Sequence, residues 1–553
     1  MKTELWTKQS TVKVLKDKSY GGEFRRSLPL TVKMAKGEYE SVQLIMTAKE
    51  NVQSYVVAVS ELSDGKGNVI KSENIQVYNV KYIEVAEHST KQPNDDLGWY
   101  PDALLPFDKA IEYGENKISA GENQSIWFTI KTACDLVAGE YTGAVTLIID
   151  GESMQIPLIV TVWDYLVPQE THVKTDLVIG SNGLMHGEGD YTPQMYRKYV
   201  ERVIEYRCGP HRLIQDMNPS YVEGADFVKA VRELTTPDKP YLSTIMLPVY
   251  AYYDGINEPL YFRYLDALAD ACIEDNINYL ERAAVYCGFI DEPHNWGNWD
   301  QVNRVCRRFE ELKKIAAEKF VDRTKESALR DEVVKSILQL GNFVTAYFDE
   351  RLTDVVNWCP EFFNFTTADK RASYMKEGNT IWWYGCGSGE NMPSYAIDHV
   401  LLDARVMNWM QFDYGFTGSL YWEAVMYYKW VWCQESHVNL VYNIDCYKEA
   451  FRCAKNAGDG FLFYPGKPYG IDGPVDSIRL QMIRDGIEDY ETLWYLEKLY
   501  NEAGKSAKTL LRPVYDSLYQ DVALKASADE FDVARERVAE LILKAQKGIF
   551  EEA

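Results

Sequence analysis

Basic residues are scarce in this chain: 59 Lys and Arg stand against 83 Asp and Glu, leaving a formal charge of −24. A phosphate backbone is tracked by a clustered excess of cations, so nucleic acid and an anionic membrane surface drop out as partners. No stretch approaches the roughly 18 apolar residues of a membrane span, and the N-terminal MKTELWTKQSTVKVLKDKSY has no apolar leader core. A cytoplasmic chain without membrane insertion is expected, with secretion open if a leader was trimmed. The ten cysteines include no C-x-x-C pair, which suits neither a disulfide framework nor a zinc site; buried reduced thiols are expected. There is no internal repeat and no low-complexity tract, and 553 residues imply two or three domains.

Aromatic residues are plentiful. The 39 Tyr and 14 Trp exceed what core filling requires, and many sit beside Gly, Asn and Asp. Flat rings next to hydrogen-bonding groups suit sugars, which have apolar C–H faces and hydroxyl rims. Ordinary packing accounts for more than half of these rings.

Up to about residue 165 the pattern is strand-like, with SVQLIMTA (41–48), SYVVAVSEL (54–62), SIWFTIKT (125–132), GAVTLIID (143–150) and MQIPLIVTVWDY (154–165). Turn signals such as SDGKGN (63–68) separate them, predicting a β-sandwich over 1–167. After the linker-like LVPQETHVKT (166–175), apolar runs alternate with helical segments. The expected strands are TDLVIGS (175–181), RLIQDM (212–217), LSTIMLPVY (242–250), AAVYCGFI (283–290), FVTAYFD (343–349), VVNWC (355–359), TIWWYGC (380–386) and SLYWEAV (419–425). Helices are expected at 196–207, 261–275, 303–320 and 397–412. This predicts a (β/α)8 barrel over 168–505, with its chemistry at the C-terminal strand ends; ERLTD, between strands five and six, is too short for a helix. A helix at 477–504 is expected to close the barrel, with RDGIEDYE (484–491) as its polar face packed underneath. Residues 506–553 form a C-terminal helical extension.

On that frame, Asp291 and Glu292 follow the fourth strand, just before Pro293. Neighbours on a regular strand face opposite ways, but where the strand breaks both carboxyls can turn into the mouth. Two-sided glycosidase mechanisms set their carboxyls ~5 Å or more apart across the scissile bond, which adjacent residues achieve only awkwardly. Substrate assistance asks for less: the 2-acetamido oxygen attacks its own anomeric carbon. Glu292 then protonates the leaving oxygen, and Asp291 holds the acetamido N–H and faces the oxazolinium charge. Repulsion between adjacent carboxylates helps one of them stay protonated.

The stretch FIDEPHNW resembles the catalytic motif of glycoside hydrolase family 123 and the related domain-of-unknown-function 4091 group. AKGEYESVQLIMTA (35–48), GWYPDALLPF (98–107), GENQSIWFTI (121–130), AGEYTGAVTL (138–147), RVMNWMQFDYGFTGSLYW (405–422) and GPVDSIRLQMIRDGIEDYETL (473–493) are similar to the same group. The resemblance implies a β-sandwich, a (β/α)8 barrel, no metal and no organic cofactor. It also implies removal of β-linked N-acetylgalactosamine from glycans, with Asp291 orienting the acetamide and Glu292 as acid/base. An N-acetylglucosaminide is the alternative substrate, and a non-catalytic carbohydrate-binding protein the alternative class. The oligomeric state stays open.

For the rest of the pocket, Tyr347 and Tyr384 are candidates to bond the acetamido carbonyl, or else barrel tyrosines bonded to backbone. Trp358, Trp383 and Trp422 could wall the sugar, although at least one faces the core or the helices. His294 either binds a hydroxyl or caps its loop. Asp349, Glu350 and Glu423 could hold the C4 and C6 hydroxyls, or be solvated or salt-bridged acids.

Overall fold

Alternating apolar positions in the first 166 residues turn one face of each strand toward a shared core, and the computed structural model shows where those faces meet. It describes residues 2–89, 96–215, 222–236, 241–249, 251–252, 255–286, 291–295, 297–386, 392–433, 438–452 and 456–551. The strands are β1 (Thr3–Gln9), β2 (Leu30–Lys36), β3 (Tyr39–Ala48), β4 (Tyr55–Val59), β5 (Leu62–Ser63), β6 (Val69–Ile70), β7 (Ile75–Val85), β8 (Gly98–Pro106), β9 (Asn123–Lys131), β10 (Gly139–Ile149) and β11 (Glu152–Leu166). One sheet runs β1-β3-β9-β7-β8, the other β2-β11-β10-β5-β6 with β4 also on β10. Val42, Leu44 and Met46 of the first sheet and Val145 and Leu147 of the second share one core.

The outer side of β3 and β9 is covered as well. Ser41 Oγ, Trp127 Nε1 and Thr129 Oγ1 donate to Gln481 Oε1 of the helix Ile478–Glu502, at 3.1, 2.8 and 2.9 Å. The chain forms two compact units: residues 1–169, 387–412 and 427–553, and residues 170–386 and 413–426. The helix expected to close the barrel thus groups with the two sheets. Within that unit RDGIEDYE is packed, with Arg484, Asp485, Glu488, Asp489 and Glu491 all buried. Such charges are tolerated only when paired: Arg405 spans Glu40 (3.0 and 2.9 Å) and Asp489 (2.7 and 3.1 Å).

In the second unit the parallel strands are β12 (Lys174–Leu177), β13 (Ile245–Met246), β14 (Ala283–Tyr286), β15 (Gly341–Phe343), β16 (Asn357–Trp358), β17 (Thr380–Gly385) and β18 (Gly418–Tyr421). β13-β14-β15 and β16-β17-β18 pair in parallel, and the first strand, β12, lies parallel to the last, β18. Parallel bridges Val344–Trp358 and Leu177–Pro210 add the junction from β15 to β16 and one beyond β12. Helices Pro193–Glu205, Gly224–Leu234, Glu258–Asp275, Trp299–Arg323, Ala328–Gln339 and Ala368–Tyr374 intervene, and none lies between β15 and β16. RLIQDM forms no strand over its described residues 212–215.

Met246, Ala284, Phe343, Cys359, Trp382, Tyr384 and Leu420 form the interior of this unit, with Tyr286 and Trp422 packed against them. Gly418 makes room there, since a Cβ would sit 2.5 Å from the Trp382 ring. Not every thiol is buried as expected: Cys134 and Cys386 are exposed, and Cys287 and Cys453 lie outside the described residues. Among the described residues no helix is long and apolar enough to cross a membrane.

Candidate active site

β14 ends at Tyr286; residues 287–290, the rest of the expected strand, lie outside the described residues. Beyond them Asp291 is exposed and in loop. Glu292 has φ +42°, a left-handed conformation that a side chain disfavours by ~1–2 kcal/mol. Two backbone bonds hold it there. The Glu292 N–H donates to Thr345 Oγ1 at 2.9 Å, and its carbonyl accepts from the Asn295 N–H at 2.9 Å.

The same threonine serves the neighbouring carboxylate. Thr345 Oγ1 donates to Asp291 Oδ1 at 2.7 Å, and Tyr286 Oη donates to that same oxygen at 3.0 Å. Among the described residues nothing donates to Asp291 Oδ2. Glu292 Oε1 accepts from the Tyr384 hydroxyl, and Oε2 from Asn295 Nδ2 at 2.8 Å. Tyr347 donates to Glu361 Oε2 at 3.3 Å and is in hydrogen-bonding contact with the Tyr384 hydroxyl. Burial and the nearby carboxylates push the Tyr286, Tyr347 and Tyr384 phenols well above their ordinary range, so all three remain neutral donors. His294 stacks on Tyr347 at 3.5 Å and 16°. Burial lowers its imidazole against the pull of Glu292 and Asp291.

The structure brings Asp291, Glu292, His294, Tyr347 and Tyr384 together. Trp422, half-buried, packs on the interior cluster that contains Tyr384. Trp358 and Trp383 are elsewhere, 2% and 0% exposed. Trp358 packs on Tyr374 (5.3 Å) and Trp383 on Phe362 (4.5 Å) and Phe416 (5.5 Å). Strand alternation is the reason: Cys359, Trp382 and Tyr384 take the interior positions, so the residues between them face outward. Neither ring is placed to wall a sugar. Asp349 is held by Arg351, whose hydrogen bonds keep the carboxyl down at about 2, and Glu350 is exposed. Glu423 is buried and accepts the Gly180 and Val425 N–H groups. Asp349 and Glu423 thus have partners inside the protein, which leaves hydroxyl binding without support at either.

Several residues of this site were not anticipated: Tyr286, Asn295, Thr345, Glu361 and the pair Asp176–His211. Asp176 is fully buried and lies 3.0 Å from His211 Nδ1 through both oxygens; the His211 ring meets Tyr286 edge-on at 5.9 Å. One signal was legible. Phe343, Thr345 and Tyr347 share a period of two, which marks Thr345 as a hydroxyl on the face of a candidate tyrosine. Among the described residues no group of three or more His, Cys, Asp or Glu is set to hold a metal.

Residues 243–496, which include Asp291 and Glu292, match the model of the glycoside hydrolase 123 catalytic domain, and residues 25–149 match that of the glycoside hydrolase 123 N-terminal domain. Together they cover more than half of the chain. The chain belongs to glycoside hydrolase family 123. It is therefore a glycosidase acting on glycans, and the Asp291–Glu292 pair lies inside its catalytic domain. A solved family 123 glycoside hydrolase from Clostridium perfringens, studied for glycolipid glycan hydrolysis, is similar over 99% of both chains with a TM-score of 0.61 at 14% identity, a likeness of fold. A CooA pilin subunit from enterotoxigenic Escherichia coli matches over 29% of this glycosidase and 96% of its own chain, at 14% identity and a TM-score of 0.14. A β-glucuronidase from Parabacteroides merdae covers 76% of this chain and 46% of its own, at 9% identity and a TM-score of 0.24. Neither of these last two bears on the fold. No curated protein matches the chain.

Proposed function

We propose that this glycosidase removes terminal β-linked N-acetylgalactosamine by substrate assistance, with Glu292 as acid and base and Asp291 orienting the acetamide. The observation that carries the reading is the uneven bonding of Asp291. Two hydroxyls fix Oδ1, while Oδ2 has no donor among the described residues. A substrate acetamide N–H supplies that donor, and drawing it in sets the acetamido oxygen against the anomeric carbon. The carbonyl oxygen then bonds to C1 as the C1–leaving-oxygen bond breaks, and Glu292 passes its proton to the leaving oxygen. Asp291 stabilises the cationic oxazolinium. Water attacks C1 in the second step and returns a proton to Glu292, so the β configuration is retained.

We read the second unit as a (β/α)8 barrel; parallel pairing in chain order, with β12 beside β18, supports this. Trp422 is the ring we place against the sugar. The family resemblance supports the galacto configuration, and glycolipid glycans, studied with the Clostridium perfringens enzyme, are the first natural substrates to try. Nitrophenyl β-N-acetylgalactosaminide, β-N-acetylglucosaminide and β-galactoside test the proposal together. Turnover of the first and none of the last is expected. Equal cleavage of plain galactoside would sink substrate assistance, whereas preference for the glucosaminide would move only the sugar.

A further inference from the structure

A general acid must hold a proton before bond cleavage and release it during cleavage, so its neighbours have to suit both states. The Tyr384 hydroxyl donates to Glu292 Oε1, a bond suited to the carboxylate left after proton release. Tyr384 has one proton to give. Its other neighbour is the Tyr347 hydroxyl, whose own proton points to Glu361 Oε2 at 3.3 Å. The backbone brings these groups side by side: Glu361 bridges in parallel to Tyr384, and Tyr347 lies between the His294 ring at 3.5 Å and the Phe363 ring at 4.9 Å.

We infer that Glu361 is a positioning residue for the acid: by holding the Tyr347 proton, it keeps the Tyr347 oxygen free to accept, so the Tyr384 hydroxyl can swing between Glu292 and Tyr347. With Glu292 protonated, the acid donates to Tyr384 and Tyr384 donates to Tyr347. As the Glu292 proton passes to the leaving oxygen, the Tyr384 O–H rotates onto the new carboxylate. The tyrosines exchange no proton; the one proton transferred goes from Glu292 to the leaving oxygen and is replaced from the attacking water. Every hydroxyl in both states has an acceptor, so neither leaves a buried donor unpaired. Without the Glu361 carboxylate, Tyr347 turns its proton to Tyr384, and Tyr384 is locked as a donor to Glu292. That arrangement opposes reloading of the acid.

The inference rests on the acid role proposed for Glu292, not on the identity of the sugar. The test compares Glu361→Leu, Glu361→Asp and Tyr347→Phe with the wild type on aryl glycosides of graded leaving-group acidity, built on whichever sugar the wild type cleaves fastest. For Glu361→Leu and Tyr347→Phe, kcat/KM should fall about tenfold or more on the poorest leaving group and change little on the dinitrophenyl glycoside, which needs no acid. Glu361→Asp should recover part of the loss. A loss equal across leaving groups, or none, overturns the role of Glu361. A Glu292→Gln control that shows no leaving-group dependence overturns the acid assignment and this inference with it, whereas plain galactoside as the fastest substrate overturns substrate assistance alone.

Discussion

Replacing Glu423 by Gln should leave the enzyme about as stable in mild acid and make it more stable in mild alkali. Glu423 is 8% exposed, and its Oε1 accepts the Gly180 N–H at 3.2 Å and the Val425 N–H at 2.9 Å. A side chain at position 180 would displace this carboxylate, because a Cβ there would sit 2.2 Å from Glu423 Oε2. Burial outweighs the backbone bonds and pushes the carboxyl from 4.5 up to about 7. The folded protein therefore keeps this proton to a higher pH than the unfolded chain does. The group's contribution to stability is whole below about pH 4.5 and is lost as pH rises to about 7. Above that, the native state carries a buried charge, a difference of ~3 kcal/mol between the two limits. Gln keeps an acceptor oxygen for both N–H groups and never ionises. The stability gap between variant and wild type should therefore open from near zero at pH 4.5 to ~3 kcal/mol at pH 8, several degrees in Tm. Scanning calorimetry at the two pH values reads it, and an equal gap at both would refute the reasoning. Activity should survive, since Glu423 has no part in the proposed chemistry.

Thr345→Val removes one of the two donors on Asp291 and leaves the Glu292 N–H without its acceptor. It should cost roughly 1–3 kcal/mol in calorimetry and more activity than stability, with Thr345→Ser restoring kcat. Trp383→Ala should destabilise by ~3–5 kcal/mol without raising KM at temperatures where the variant is folded, whereas Trp422→Ala should raise KM at little cost in Tm. The reverse pattern would exchange the places assigned to these two rings.

Periodicity exposed the repeating units of this fold but not the surfaces they bury against. The runs at 41–48 and 125–132 lie within β3 and nearly fill β9, but both strands are buried on both faces, and periodicity did not say what covers the outer one. The helix Ile478–Glu502 was legible as a helix, yet its unit was not. A charged run looks the same whether water or a buried arginine neutralises it, and only the pairing of Asp489 with Arg405 and Arg535 decides. For WW at 382–383, the rule that neighbours split between faces held without saying which went inside. The phase was set by Tyr384, whose hydroxyl is needed at Glu292. Glu361 was invisible for a different reason: it joins the site from β16 and the turn after it, and no local spacing links it to Tyr347.

The acid pair is reachable from sequence because its chemistry is compressed into two consecutive residues, and that compression imposes a backbone requirement. On an extended strand, Asp291 and Glu292 would point to opposite faces. The left-handed turn at Glu292 breaks that alternation at an energetic cost, and the bond from its N–H to Thr345 helps to hold it. Since Thr345 also donates to Asp291 Oδ1, one hydroxyl fixes both the strained backbone of the acid and the direction of the carboxylate beside it. Losing that hydroxyl therefore disturbs both catalytic groups at once, which is why Thr345→Val should reduce catalysis beyond its effect on stability.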